Sequence, residues 1–308
     1  MKLFSGTAHP ALAEEVAKLL KIPVAQSEVV RFDNSEVRVR IEEDVRDEKC
    51  FVIQSTSSPT DTHLMELFFF CDALRREQAK QINVIMPYFC YARQNIQHRP
   101  GEAVSAHVVI RLLESLGVHQ IITCDIHDEG SLGIFSVPVT HLSTLPAMAE
   151  EVKRYIGEKN VTTQSVAVVS PDQGGIERAR TFGTALFGTN AFDLVVVEKR
   201  RDQNVKHVSA AIQLFGEVTG KTAVIVDDVT TSGGTLIHAA DACMKAGATR
   251  VVSAIAHHDL GSGAPVKIQA SNIEKLFSTN TIALTDEFRF DKLQEISIAS
   301  IIAAQIKP

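Results

Sequence analysis

The amino-acid sequence predicts an α/β fold with mainly parallel sheets, and three observations carry that expectation. Short β-rich apolar runs alternate with longer helical patterns along almost the whole chain, the rhythm of strands joined by crossover helices. Several of the runs are followed at once by Asp, Ser, Gly or Thr. In open α/β sheets ligands bind outside the carboxyl ends of the strands, so such junctions are the first places to look for chemistry. Two successive series of this kind, before and after about residue 142, suggest two similar domains without a residue-by-residue repeat.

Taken in order, CFVIQ at 50–54 reads as a strand, 64–78 as a helix and INVIM at 82–86 as the next strand. Further strands are expected at 120–124 (QIITC), 165–170 (SVAVVS), 194–197 (LVVV), 222–226 (TAVIV), 250–256 (RVVSAIA) and 275–278 (KLFS). The triple Phe68, Phe69 and Phe70 reads as core on a buried helix. The stretch 293–306 has helical apolar spacing, and the chain from 290 to 308 could pack back on the first domain. The organisation expected is 1–142 as an N-terminal α/β domain and 143–289 as a C-terminal one. No Pro-rich or low-complexity linker separates them, so a substantial contact between the halves is expected.

With 308 residues, 45% hydrophobic and 22% charged, the chain falls in the ordinary range for a soluble protein of one or two domains. A formal net charge of -6 offers no basic field to draw in nucleic acid or an anionic membrane surface, so anionic substrates must be held by local groups. The five cysteines are odd in number, widely spaced and mostly in apolar runs, which reads as reduced core thiols and not a disulfide framework or zinc site. The opening MKLFSGTAHP lacks an apolar signal core, and no apolar stretch approaches about 20 residues. A cytoplasmic location is expected.

The strongest local signal is TAVIVDDVTTSGGTL at 222–236. Gly233 and Gly234 allow backbone N–H groups close to a phosphate, while Thr231, Ser232 and Thr235 add hydroxyls and the next helix, from about Leu236, its N-terminal dipole. Asp227 and Asp228 would repel a phosphate and make more sense as acceptors for sugar hydroxyls beside it. A plain N-capped helix explains a hydroxyl and one glycine, but not the adjacent acids. SPDQGG at 170–175 is a second junction with a metal-capable acid, Asp172; a ligand-free turn would use the same residues. His127 follows an apolar strand, where a lone histidine is usually structural. Lys199, Arg200 and Arg201 open a polar stretch without an obvious element of its own, and such a run is usually solvated surface. Phe32, Asn34 and Glu36 have period-2 spacing, which would place them on one face of an extended segment, although an ordinary half-polar strand has the same pattern. His257, His258 and Asp259 lack a second ligand pair at metal spacing and read as structural or at the edge of a site.

VIVDDVTTSGGT resembles the phosphoribosyl-diphosphate motif shared by type I phosphoribosyltransferases and ribose-phosphate pyrophosphokinases, and by itself does not choose between them. PYFCYARQ at 87–94, CDIHDEGSLGIF at 124–135, SPDQGGIERA at 170–179 and EKRR at 198–201 follow the order and approximate spacing of the pyrophosphokinases. With RFDNSEVRVRIEEDVR near the start and QSTSSPT at 54–60, the resemblance covers nearly the whole chain. It implies two doubly wound domains of the phosphoribosyltransferase type. It also implies pyrophosphoryl transfer from Mg-ATP to the C1 hydroxyl of ribose 5-phosphate, with Mg2+ as cofactor and a homo-oligomer whose ATP site is shared between subunits.

Residue by residue, the resemblance implies catalytic roles for Lys199 and Arg201 on a mobile loop, and ATP contacts for Arg93, Gln94 and His127. It implies that Phe32, Asn34 and Glu36 hold adenine from a neighbouring subunit. Ribose 5-phosphate would meet Asp227, Asp228, Thr231, Ser232, Gly233, Gly234 and Thr235, and the metal His127 and Asp172. The chain departs from the family's usual pattern at Asn34, Asn95 and Thr231, where acids are common.

Overall fold

The computed structural model describes residues 1–200 and 211–306. The chain divides into two compact units: Met1–Ser143 with Thr281–Ala283 and the chain from Ser297, and Thr144–Asn280 with Leu284–Ile296.

The first unit begins with β1 (Lys2–Ser5) and α1 (Pro10–Leu20), followed by β2 (Ser27–Arg31), β3 (Val37–Ile41) and β4 (Lys49–Ile53). It continues through α2 (Thr60–Arg76), β5 (Gln81–Met86), α3 (Ser105–Ser115), β6 (Gln120–Cys124) and β7 (Val139–Leu142). Its five-stranded sheet has the order β1-β4-β5-β6-β7, and every pair is parallel. Strand alternation sends successive side chains to opposite cores. Cys50 and Val52 join Leu67, Phe70 and Ile110 on one side, while Phe51 and Ile53 join Leu12, Val16 and Ile302 on the other. Both faces are covered, which is why these strands are almost continuously apolar.

In the second unit α4 (Leu145–Ile156), β8 (Val166–Ser170), α5 (Ile176–Phe187), β9 (Leu194–Arg200) and β10 (Ala211–Phe215) lead to β11 (Thr222–Val229). Then follow α6 (Gly234–Lys245), β12 (Arg250–His257), α7 (Ala264–Gln269), β13 (Ile273–Thr279) and β14 (Leu293–Ile296). The sheet order is β10-β9-β8-β11-β12-β13-β14, parallel except for the β9–β10 edge. Here too alternate residues serve two cores: Ala223 and Ile225 pack with Leu236 and Ala240, Val224 and Val226 with Phe182 and Met148. The fold is thus the expected α/β architecture of two doubly wound units with mainly parallel sheets. The final helix, α8 (Ala299–Gln305), belongs to the first unit, where Ile302 and Ala303 sit in the same core as Leu12 and Ala13 of α1.

Four expectations are corrected. The stretch 293–306 is not one helix, because Leu293–Ile296 pairs with β13; of the chain from 290 onward, only the part after Ile296 groups with the first unit. Leucine and isoleucine suit either period, and the free edge of β13 selects the strand. The strand expected at 194–197 runs on to Arg200, with Lys199 opposite Ile212 of β10, while the polar stretch at 202–207 lies outside the described residues. Phe32, Asn34 and Glu36 do not lie on an extended face. They form the tip of the β2–β3 hairpin, where Ser35 N–H donates to the Phe32 carbonyl at 2.9 Å and Phe32 N–H to the Glu36 carbonyl at 2.9 Å.

The phenylalanine triple also divides. Successive helix residues are turned by about 100°, so three cannot share one face. Phe70 is 0% exposed, Phe69 is 37% exposed and Phe68 is half-buried against the core. Phe70→Ala should therefore destabilise the first unit by about 3–5 kcal/mol, and Phe69→Ala by about 1 kcal/mol or less. Urea denaturation followed by far-UV circular dichroism measures both.

Candidate active site

The junction after β11 combines two buried acids with a left-handed glycine. Asp227 and Asp228 stand near the end of the strand at 9% and 3% exposure. Burying two adjacent carboxylates is costly unless each finds a partner. Arg178, two residues into α5, brings Nη1 within 3.4 Å of Asp227 Oδ1 and 3.3 Å of Asp228 Oδ1. The Asp228 backbone N–H donates to Asp227 Oδ1 at 2.9 Å. Even so, burial first and the neighbouring Asp228 second push the Asp227 carboxyl well above the usual carboxylate range, with Arg178 opposing.

Past the acids, Thr230 N–H donates to the His257 carbonyl at 3.0 Å and the Thr231 carbonyl accepts from Gly261 N–H at 3.0 Å, pinning the loop to the chain after β12. Gly233 adopts a left-handed conformation at φ 76, and a Cβ there would lie 2.7 Å from Ile268 Cγ1, so glycine is required twice over. α6 then begins without a side-chain cap, apart from a long 3.3 Å contact of Gly234 N–H with Ser232 Oγ. An uncapped N-terminus directs backbone N–H groups and the positive end of the helix dipole outward, the arrangement that holds a phosphate. Ser232 is exposed, and Thr231 and Thr235 are half-buried.

The neighbouring junction, after β8, is closed by its own side chains. Asp172 Oδ1 accepts from Gly175 N–H at 3.0 Å, and Ser170 Oγ donates to the Asp172 carbonyl at 2.7 Å. Asp172 is exposed. Gln173 Nε2 donates to Glu198 Oε1 at 2.9 Å, linking this turn to β9 just before Lys199. Arg201 lies outside the described residues.

The first unit carries the remaining expected residues on two strand-end segments and the tip of the β2–β3 hairpin. After β5, Gln94 N–H donates to the Tyr91 carbonyl at 2.8 Å, and Gln94 Oε1 accepts from Ser105 Oγ at 2.7 Å. Arg93 is exposed beside it. Tyr91, left-handed at φ 56, donates its hydroxyl to Asp61 Oδ1 at 2.7 Å, and that bond, aided by burial, lifts its pKa to about 12. After β6, the Ile126 N–H donates to His141 Nε2 at 3.0 Å, and His127 follows in an exposed position. Asn95 bridges the two segments, its amide nitrogen 2.7 Å from Asp128 Oδ2 and 3.0 Å from Ser131 Oγ. At the hairpin tip Phe32 is 44% exposed, with the Arg38 guanidinium 5.7 Å from its ring centre. Asn34 Oδ1 accepts the Glu36 N–H at 3.2 Å.

Two of these participants escaped the sequence reading. Arg178 stands inside the quoted SPDQGGIERA, yet nothing local shows that a residue of α5 meets acids on β11, because a chain separation of 49 lies between Arg178 and Asp227. Asn95 was visible only as a departure from a pattern. In the His257, His258 and Asp259 cluster, the two histidines make bonds within the fold. His257 supplies its carbonyl to Thr230, and His258 Nδ1 lies 3.0 Å from Ser278 Oγ. Among the described residues no group of three His, Cys, Asp or Glu side chains is placed to hold a metal ion, and no helix is long and apolar enough to cross a membrane.

The raised pKa of Asp227 fixes a sign. The folded protein keeps this proton where the unfolded chain has lost it, so the residue costs stability as pH rises from the ordinary carboxylate value, about 4, through its own raised value. Asp227→Asn removes that cost. The variant should be more stable than the parent at pH 7, and the gap should close as pH falls toward about 4. Denaturant titrations across that range measure it; a gap independent of pH would contradict the account.

Comparison with known proteins agrees with this geometry along the chain. Residues 1–117 match the family described as the N-terminal domain of ribose phosphate pyrophosphokinase, and residues 138–285 match the phosphoribosyl transferase domain. Ribose-phosphate pyrophosphokinase 1 of Streptococcus agalactiae is 38% identical over 99% of this chain and 92% of its own. The Bacillus caldolyticus ribose-phosphate pyrophosphokinase is 37% identical over 99% and 93%. The crystal structure of phosphoribosylpyrophosphate synthetase from Mycobacterium smegmatis superposes with a TM-score of 0.90 at 33% identity, covering 99% of this chain and 97% of that one. Two matched domains in the right order, relatives aligned end to end and a shared fold lead to one conclusion: the chain belongs to the ribose-phosphate pyrophosphokinase family of enzymes.

Proposed function

We propose that the chain transfers the β,γ-diphosphoryl group of Mg-ATP to the C1 hydroxyl of ribose 5-phosphate, yielding 5-phosphoribosyl 1-diphosphate and AMP for nucleotide biosynthesis. The observation that carries this reading is the β11–α6 junction, where two buried acids stand beside an uncapped helix N-terminus. Carboxylates accept hydrogen bonds from sugar hydroxyls, and helix N-termini take phosphate. Together they suit a phosphorylated sugar better than either group alone.

Asp227 and Asp228 hold the ribose, while Thr231, Ser232, Gly233, Gly234 and Thr235 hold its 5-phosphate. On the first unit Arg93, Gln94 and His127 bind ATP. Phe32, Asn34 and Glu36, at an exposed hairpin tip, serve the adenine bound by a neighbouring copy, which makes the working protein a homo-oligomer. The turn closed by Asn34 leaves its amide nitrogen to face a ligand, since its oxygen already accepts the Glu36 N–H.

The residues fit a magnesium ion. Asp172 is exposed, and one of its oxygens closes the turn, leaving the other for a cation or its water shell. The lack of a closed protein cage among the described residues suits Mg2+, which keeps several waters and binds through one or two carboxylates plus substrate phosphates. His127, on the first unit, is the other residue proposed to meet the metal. The ion, when bound, neutralises charge on the nucleotide phosphates.

The protein's own groups then orient and stabilise. Holding ribose by its hydroxyls and its 5-phosphate aims O1 at the β-phosphorus, replacing a bimolecular encounter with an oriented one. Charge that builds on the transferred oxygens and on departing AMP is met by Lys199 and Arg201. We place the reaction in the cytoplasm, where five buried thiol cysteines suit a reducing compartment.

Incubation with ribose 5-phosphate and Mg-ATP should release AMP in a ribose-phosphate-dependent manner. ADP as the product would instead mean transfer of a single phosphoryl group and would overturn the proposal. In that assay Lys199→Ala and Arg201→Ala should each lower kcat by about 100-fold or more with little change in ribose 5-phosphate binding. A change below about twofold would remove them from the mechanism. Asp227→Asn and Asp228→Asn should raise KM for ribose 5-phosphate more than KM for ATP, in proteins that keep the parent's circular dichroism spectrum. Loss of fold in both variants would make the acids structural.

A further inference from the structure

Asn95 connects the two strand-end segments of the first unit. Its amide nitrogen donates to Asp128 Oδ2 at 2.7 Å and to Ser131 Oγ at 3.0 Å, across chain separations of 33 and 36. An ionised carboxylate only accepts, so the amide must present its nitrogen, and the two contacts employ both N–H bonds. The second Asp128 oxygen, Oδ1, accepts from Gly130 N–H at 2.9 Å, and the Asp128 carbonyl accepts from Ser131 N–H at 3.0 Å. Asp128 thus closes its own turn with one carboxylate oxygen and grips Asn95 with the other. Ser131 is 3% exposed, so the far end of the bridge is fixed.

The near end is fixed as well. Asn95 directly follows Arg93 and Gln94, in a segment anchored by Tyr91 on Asp61 and by Gln94 on Ser105. Asp128 directly follows His127. A charge-assisted hydrogen bond at 2.7 Å therefore joins the backbone beside Arg93 and Gln94 to the backbone beside His127.

We propose that Asn95 is a positioning residue for the nucleotide: its bridge to Asp128 and Ser131 sets the separation of Arg93 and Gln94 from His127 before ATP arrives. The inference rests on the reading that these three side chains bind ATP. Holding them in place in advance removes the ordering cost that binding would otherwise carry. The bridge depends on donor polarity. A carboxylate at position 95 would face the Asp128 carboxylate at hydrogen-bond distance, with repulsion in place of attraction. Exchanging the two side chains would rebuild the bond in reverse, since an amide at 128 can accept the Gly130 N–H with its oxygen and donate across the bridge with its nitrogen.

The test compares Asn95→Asp, Asp128→Asn and the double variant with the parent, reading KM for ATP, KM for ribose 5-phosphate and the thermal midpoint. Asn95→Asp should raise KM for ATP on the order of tenfold, the scale of one charge-assisted hydrogen bond, with KM for ribose 5-phosphate changed less than about twofold. The double variant should return KM for ATP to within about threefold of the parent. Equal ATP affinity in Asn95→Asp and parent, a double variant no better than Asn95→Asp, or a parallel rise of both KM values with a lowered thermal midpoint would each overturn the inference. Arg93→Ala separates the two levels of the argument. If Arg93→Ala weakens ATP while Asn95→Asp does not, the bridge alone is refuted; if Arg93→Ala is also inert, the nucleotide assignment falls and the bridge with it.

Discussion

A parallel strand covered on both faces has no face left for chemistry. In each unit alternate strand residues enter opposite cores, and the backbone polar groups between them are consumed by neighbouring strands. Only the strand ends escape this burial. The phosphate-type loop after β11, the Asp172 turn after β8, the Arg93–Gln94 segment after β5 and the His127 segment after β6 all leave carboxyl ends of such strands. In a doubly covered sheet the strand ends are where polar side chains stay open to a ligand.

That location has a cost that the β11 junction makes plain. Two acids at a buried strand end repel each other, and Asp227 retains a raised proton affinity although Arg178 lies near. A structure selected only for stability would place apolar residues there. The left-handed Gly233 adds a second local burden, and the uncapped α6 leaves helix donors without a side-chain partner. Unfavourable terms concentrated at one junction are characteristic of a site shaped for a ligand. Here they fall beside the uncapped N-terminus of α6, so that acceptor and donor groups are separated by only a few residues.

Elsewhere, polar side chains close turns. Asp172 caps Gly175 N–H, Asn34 caps Glu36 N–H and Asp128 caps Gly130 N–H. In each case one side-chain atom is committed to geometry. A similar arrangement stands at the ends of β1 and β4, where fully buried Glu66 accepts from Thr7 N–H at 2.6 Å and from Gln54 Nε2 at 2.9 Å. These bonds are local anchors of loops that would otherwise be entropically expensive to hold in place.

The sequence by itself determined the α/β class, the parallel sheets and the family, because apolar runs and strand-end motifs are local patterns that survive without knowledge of contacts. It also marked Asp227, Asp228, Gly233 and Gly234, since consecutive acids and glycines after an apolar strand have few other uses. Tertiary structure decided what periodicity could not. Leu293–Ile296 became a strand because an edge of β13 was free to pair, and β9 ran on to Arg200 because β10 returned beside it. Phe32, Asn34 and Glu36 became a turn because β2 and β3 pair with each other. Arg178 reached the acids, and Asn95 reached Asp128, across 49 and 33 residues of chain. Such partnerships are matters of distance in the folded molecule, and a linear pattern records residue types and spacing but not which distant side chains the fold brings within hydrogen-bond range.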